Sequence, residues 1–313
     1  MTTNDIITIN NLTKKFSKFL ALDNLSLDVK RNSCVGFLGP NGAGKTTTLK
    51  ILTGLLQPTS GTVYINGYDV TKQFREAMTG VGAVVETPEF YPHFSPVDVL
   101  SYFGKLRGMP RQEIKTQIQK ALEEVNMTEW SHKKIGKFSK GMKQRIALAS
   151  ALFHDPELII LDEPTSGLDP RGMIEVREII KSMKEKGKTI FMSSHLLGET
   201  QSICDEVALI DKGKLLGLRA INQLQTFNKS KIKIEFLDNL KESQLDSIKN
   251  FKQASDVLQE TSNVLTVEFG GDETQRAEFL KFLQENGMNV TSFSLVESNL
   301  ENLYKDMISD SVR

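Results

Sequence analysis

The chain has no net charge: its 313 residues carry 39 Lys plus Arg against 39 Asp plus Glu. Long-range attraction to nucleic acid or to an anionic lipid surface is therefore not written into its overall charge. Cysteine is scarce. Cys34 and Cys204 stand far apart, each beside apolar neighbours and without CxxC spacing, which argues against a disulfide or a metal site and for two reduced core thiols. Long apolar runs are missing as well. None approaches the roughly 20 residues that span a bilayer, so the chain makes no membrane pore by itself. Met1–Asp5 is polar and has no apolar stretch of the kind that marks a signal peptide. What is present is ordinary for a globular protein, with 39% hydrophobic and 25% charged residues in a length that suits one large domain and a small one.

Cys34–Leu38 is a continuous apolar run of strand length, followed at once by a glycine-rich turn, and Thr46–Leu55 then has helical character. Strand, glycine-rich loop and helix open a parallel α/β unit. Short strands are expected before it at Ile6–Asn10 and Leu25–Val29, and further strands at Val81–Val85, Leu158–Leu161, Thr189–Met192 and Val207–Ile210. Runs apolar on both faces suit a sheet covered on each side. Between Ser95 and Ala151 the pattern turns helical. Ser95-Pro96-Val97-Asp98 has the form of a capping box, and Ile114, Ile118, Leu122 and Val125 make a stripe at helical spacing. Near Ala220 the signals change. Lys231–Leu237, Asn263–Phe269 and Val290–Val296 read as strands, and Leu240–Phe251, Glu273–Asn286 and Leu300–Ile308 as helices. An order β-α-β-β-α-β, of which these segments supply three strands and two helices, plus a last helix, implies a small α+β appendix of ferredoxin-like form.

Two segments carry chemistry. Gly39-Pro40-Asn41-Gly42-Ala43-Gly44-Lys45-Thr46 fits G-x-x-x-x-G-K-[ST] at every fixed position. Glycines let backbone N–H groups turn inward around phosphate oxygens, and the helix that follows aims its positive end at the same anion. Lys45 then reaches the β- and γ-phosphates, the Thr46 hydroxyl ligates Mg²⁺, and Thr47 completes the nucleotide-binding set. A chance glycine-rich turn is the plain alternative, and the flanking strand and helix argue against it. The second segment is Leu158–Leu161, an apolar strand that ends in Asp162 and Glu163. It would deliver both acids to the carboxyl edge of the sheet, where α/β ligands bind. Asp162 would hold Mg²⁺, and Glu163, on the opposite side of the period-two strand, would polarise the attacking water. A polar strand end is the alternative for an isolated pair, and Lys45 in the same sheet tips the balance.

With these residues in view, Ser139-Lys140-Gly141-Met142-Lys143-Gln144-Arg145 resembles the signature segment of ABC ATPases, Glu163–Pro170 their Walker B exit and D-loop, and Ser193-Ser194-His195 their switch histidine. The resemblance covers about Ile6 to Leu218, with the motifs in the expected order. It implies an α/β cassette of the P-loop NTPase class over residues 1–222, with a helical insert at about 90–150, and leaves 223–313 as the small accessory α+β domain. It further implies that Phe16 stacks on adenine, with Phe19 as the neighbouring competitor and core packing as an equal alternative for the ring. Ser139 and Gly141 would contact the γ-phosphate held by a second copy, and helix capping is the same geometry without the ligand. Asp169 would couple the two copies, and His195 would bond the γ-phosphate.

Two departures stand out. Lys140 occupies the place of the signature's first glycine. Glu86, after the strand Val81–Val85, stands where most members place the glutamine that touches Mg²⁺ and the water. Glu86 is accordingly expected to be both a metal and a coupling residue, and the stretch Glu86–Pro92 resembles ATPases of bacitracin and lantibiotic exporters. The expectation is an ATPase that uses ATP and Mg²⁺, dimerises head to tail and docks on separate integral-membrane permease subunits at the cytoplasmic face of the membrane, with no nucleic-acid partner. An ABC-class ATPase acting on ribosomes or DNA is the runner-up. The single phosphate loop and the short insert disfavour it.

Overall fold

A computed structural model of the chain describes residues 4–87, 89–222 and 230–296. These form two compact units, Met1–Ile221 and Asn222–Arg313. The strands of the first are β1 (Asp5–Phe16), β2 (Phe19–Lys30), β3 (Cys34–Leu38), β4 (Ser60–Ile65), β5 (Tyr68–Asp69), β6 (Val81–Val84), β7 (Leu158–Leu161), β8 (Thr189–Ser194), β9 (Glu206–Asp211) and β10 (Lys214–Ala220). Its helices are α1 (Lys45–Leu52), α2 (Phe74–Met78), α3 (Pro96–Leu106), α4 (Arg111–Glu124), α5 (Lys140–Leu152), α6 (Pro170–Glu185) and α7 (Leu197–Ile203).

The central sheet runs β10-β9-β3-β8-β7-β6, parallel throughout except for the antiparallel edge strand β10. β3, β7 and β8 are buried at every residue. The pleat sends alternate side chains to opposite faces, so each of these strands feeds two cores. Ile159, Leu161, Ile190 and Met192 meet the helical layer built from α3, α4, α5 and α6. Leu158, Ile160 and Phe191 join Val35 and Phe37 on the other face, under α1 and the antiparallel sheet β2-β1-β4-β5. This arrangement places the carboxyl ends of β3, β7 and β8 side by side, which is what builds the site.

β1 and β2 differ from the short strands expected. Each spans 12 residues, and register shifts at Ile9/Leu12 and Lys14/Lys15 break the two-residue alternation that would have revealed their length. They pair with each other and belong to the antiparallel sheet. α1 stops at Leu52, three residues short of the expected end, before Gly54 at φ 70°. In the helical layer the expected cap is present. The Ser95 hydroxyl accepts from the Asp98 amide while the Asp98 carboxylate accepts from the Ser95 amide and hydroxyl, and these bonds hold Asp98 below its ordinary pKa. Cys34 and Cys204 are free and buried, with their Sγ atoms 3.5 Å apart.

The second unit comprises β11 (Ser230–Phe236), α8 (Glu242–Lys249), β12 (Ala254–Thr261), β13 (Val264–Phe269), α9 (Glu273–Glu285) and β14 (Val290–Val296). Its antiparallel sheet has the order β12-β13-β11-β14, which is the ferredoxin-like arrangement. The two helices cover one face over a core centred on Phe269 and Phe279. The expected helix Leu300–Ile308 lies outside the described residues.

Candidate active site

The loop from Gly39 to Gly44 leaves the centre of the parallel sheet. β3 is fixed by pairing with β8 on one side and β9 on the other, and the Gly39 amide donates to the Ser194 carbonyl at 3.2 Å. Gly44 has φ 109°, and a Cβ there would lie 2.8 Å from the Ala21 carbonyl oxygen, so only glycine fits. Asn41 and Gly42 are exposed, whereas Ala43 is buried and its amide donates to the Pro40 carbonyl. α1 starts directly from Gly44 with no side chain capping it, which leaves its first-turn amides to face an anion. Lys45 is only 5% exposed. Its Nζ donates to the carbonyls of Gly39 at 2.8 Å and Pro40 at 3.1 Å and sits 3.3 Å from Glu163 Oε1. The half-buried Thr46 and Thr47 have hydroxyls without a hydrogen bond among the described residues.

Opposite this loop, β7 ends in the acid pair. Asp162 is buried, and its Oδ1 accepts from the Ser193 hydroxyl at 2.6 Å. The same hydroxyl accepts from the Glu163 amide at 2.9 Å. Glu163 does not continue the strand. Its φ of 43° turns the backbone left-handed, so a local kink and not strand alternation aims its carboxylate. One oxygen of that carboxylate faces Lys45, and the other lies 3.2 Å from His195 Nδ1. A carboxylate only accepts, so the Nδ1 proton faces it. Lys45, Glu163 and His195 thus form one chain of contacts from three different sheet exits, with Asp162 beside it through Ser193. The sequence reading missed Ser193. Its signal is the parallel register, in which Leu161 pairs with Met192 and the next residues on each strand become neighbours.

The remaining candidates lie around this centre. Glu86 follows β6 at φ 67° and is exposed, and its carboxylate pairs with Lys50 of α1. Phe16 and Phe19 face each other at the end of the β1–β2 hairpin and are 43% and 62% exposed, which overturns core packing as the reason for either ring. Lys14 Nζ sits 5.0 Å from the centroid of Phe16. Ser139 caps α5 by accepting from the Met142 amide at 3.2 Å, and its side chain is otherwise exposed. Gly141 is buried, and a Cβ on it would lie 3.7 Å from Gly172 of α6. Lys140 Nζ fills the space that a Cβ on Gly167 would need. Asp169 is the exposed N-cap residue of α6.

An uncapped glycine loop carrying a buried lysine, set against two strand-end acids on a parallel sheet, is the hydrolytic centre of a P-loop nucleoside triphosphatase. Residues 22–166 match the family described as ABC transporter. Over 309 residues, 97% of both chains, the sequence is 37% identical to the bacitracin transport ATP-binding protein BcrA of Bacillus licheniformis. It is 30% identical to the linearmycin resistance ATP-binding protein LnrL of Bacillus subtilis, covering 97% of this chain and 98% of that one. Among solved structures, a dimeric ATP-binding cassette bound to ADP and phosphate in a post-hydrolysis state superimposes with a TM-score of 0.61 at 26% identity, over 69% of this chain and 98% of the other. The chain belongs to the ATP-binding subunits of ABC transporters. It is an ATPase, and subunits of this class dimerise and power transport through a separate membrane permease. No helix among the described residues is long and apolar enough to cross a membrane.

Proposed function

We propose that the chain drives export of a membrane-directed peptide antibiotic, bacitracin or a chemically similar molecule, from the cytoplasmic face of a membrane permease. The observation that carries this reading is the match to the bacitracin transport protein across 97% of both chains, which extends beyond the cassette through the C-terminal unit. A cassette-only likeness would support the class and not the substrate.

In this reading, Lys45 and the uncapped first-turn amides of α1 meet the phosphates of ATP, and Phe16 stacks on the adenine. The residues present fit Mg²⁺. A hydroxyl without another partner on Thr46 and a buried carboxylate on Asp162, braced by Ser193, are hard oxygen donors. When bound, Mg²⁺ neutralises charge that develops on the phosphoryl group. Glu163 orients the attacking water and takes its proton, and His195 holds the Glu163 carboxylate and bonds the γ-phosphate. Ser139 and Gly141 close the site of a second copy in a head-to-tail dimer, with Asp169 at the same junction. Glu86, paired with Lys50, links α1 to the entry of the helical insert and couples nucleotide state to the permease. The unit after residue 222 is an accessory domain.

Deletion of the gene in its host, followed by growth across a bacitracin series, tests the substrate. We expect at least a fourfold drop in tolerated concentration, restored by the wild-type gene and not by Lys45→Ala. Unchanged tolerance in the deletion strain would overturn the antibiotic assignment.

A further inference from the structure

Next to the hydrolytic centre lies a third acid. Glu199, in the first turn of α7, is 7% exposed. Its Oε1 accepts from the Thr165 hydroxyl at 2.6 Å and its Oε2 from the Ser194 hydroxyl at 3.1 Å. Both hydroxyl residues are 2% exposed. Thr165 stands two residues after Glu163 in the turn toward Asp169, whose first closure is the bond from the Ser166 amide to the Glu163 carbonyl at 3.0 Å. Ser194 immediately precedes His195, and its hydroxyl also accepts from the Leu196 amide at 2.9 Å. One carboxylate therefore holds, by its two oxygens, the backbone just after Glu163 and the backbone just before His195.

The anchor itself is packed against the sheet. The next residue, Thr200, is fully buried, and a Cβ on Gly36 of β3 would lie 2.7 Å from its Cγ2, so α7 is seated on the strand that leads into the phosphate loop. No lysine or arginine among the described residues forms an ion pair with Glu199. Holding a carboxylate in such a place by hydroxyls alone is an expensive way to join two loops by comparison with apolar packing, and the bidentate geometry is what it gains. Ser193 braces Asp162 and the Glu163 amide from one side, and Glu199 braces Thr165 and Ser194 from the other.

We propose that Glu199 is a positioning residue for ATP hydrolysis, holding the Glu163 turn and the His195 loop at the separation that lets Glu163 and His195 act together. This rests on the reading of Glu163 as the group that takes the proton from water. Glu199 touches neither the reacting atoms nor the nucleotide, so its loss should act on turnover and not on binding. A misplaced base costs rate through lost orientation even when affinity is intact.

The test uses the full-length chain, with steady-state ATPase at saturating Mg²⁺ and equilibrium binding of a fluorescent ATP analogue. Glu199→Ala should lower kcat at least tenfold while KM for ATP and the analogue Kd stay within threefold. Glu199→Gln, which keeps an acceptor toward one hydroxyl, should recover most of that loss. Thr165→Val and Ser194→Ala each remove one hydroxyl and should each lower kcat. Combining either with Glu199→Ala should lower it no further, since the three act through one device. If Glu199→Ala fails to fold, the two hydroxyl variants decide. Turnover within twofold of wild type in folded Glu199→Ala, or in both hydroxyl variants, overturns the proposal, as does a rise in KM and Kd that accounts for the whole effect. Glu163→Gln is the control. Full turnover in that variant sinks the reading of Glu163, whereas a dead Glu163→Gln beside an active Glu199→Ala sinks only the positioning role.

Discussion

The Ser193 hydroxyl does two things with one oxygen: it donates to Asp162 and accepts from the amide of Glu163. Replacing it by alanine leaves a buried carboxylate oxygen and a backbone amide without their partners, while the ligand and the base remain in the sequence. A carboxylate freed from its supporting bond binds a metal less well, by about tenfold or more where such supports have been removed. We therefore expect Ser193→Ala to raise the Mg²⁺ concentration for half-maximal ATPase about tenfold, with a smaller fall in kcat at saturating Mg²⁺. A titration of activity against MgCl₂ measures it, and an unmoved midpoint would show that the Ser193 bond does not support the metal ligand. At this scale the sequence was legible wherever chemistry demands a residue type at a fixed spacing, as for Gly39, Gly44, Lys45, Thr46 and the pair Asp162–Glu163. It was silent on Ser193, Thr165 and Glu199, because their partners are brought together by strand order and not by spacing. Glu163 itself was legible as a residue but not in its conformation, since a left-handed turn at a non-glycine leaves no mark in the sequence.

β6 lies close against the end of α5. A Cβ on Gly82 of β6 would come within 2.1 Å of the Ala151 carbonyl oxygen, so strand and helix touch backbone to backbone. Just beyond α5, His154 continues the seam with Nε2 3.0 Å from the Val81 carbonyl, while its Nδ1 is buried with no partner among the described residues. Burial first, and then the Arg107 guanidinium, push the His154 pKa down to about 4, against smaller opposing effects of the Val81 carbonyl and Asp155, with Lys188 adding least. In the unfolded chain the ring takes its proton near pH 6.5. The unfolded state thus binds more protons between those values, and the stability gained by keeping His154 neutral is complete above about pH 6.5 and drains away as the pH falls toward 4. Asp98 and Asp155, whose pKa values are lowered from 3.8, act with the carboxylate sign and lose their contributions only at still lower pH. The urea midpoint of the wild type should therefore fall between pH 6.5 and 4, and His154→Gln should flatten that fall. Parallel curves for the two proteins would remove His154 as the cause. Element boundaries were legible where capping or burial is strong, as at Ser95 and in β7. They were not where bulges interrupt alternation in β1, nor in β12, a largely exposed edge strand with no apolar face to announce it.

Three separate hydrophobic cores occur among the described residues, two of them sharing the central sheet of the cassette and the third within the C-terminal unit. The third is built on phenylalanine. Phe279 is fully buried, with ring centroids of Phe251 at 4.8 Å, Phe269 at 5.1 Å and Phe293 at 6.3 Å. The periodic spacing of Phe279, Phe282 and Leu283 announced this core in the sequence, although nothing there says what the unit does. Because its apolar residues form their own cluster, damage to it should not reach the catalytic carboxylates. Truncating a fully buried phenylalanine to alanine costs about 3–5 kcal/mol. In a unit of this size, each kcal/mol lowers the melting temperature by roughly 4–8 °C. Phe279→Ala should accordingly split thermal unfolding into two steps, with a first transition moved down by about 12–40 °C and a second that stays where the wild-type cassette melts and still shifts upward with ATP. Steady-state ATPase at low temperature should remain within twofold of wild type. A single transition that moves as one, or hydrolysis lost in proportion to the melting of the C-terminal unit, would mean that the catalytic cassette depends on this core for its own stability.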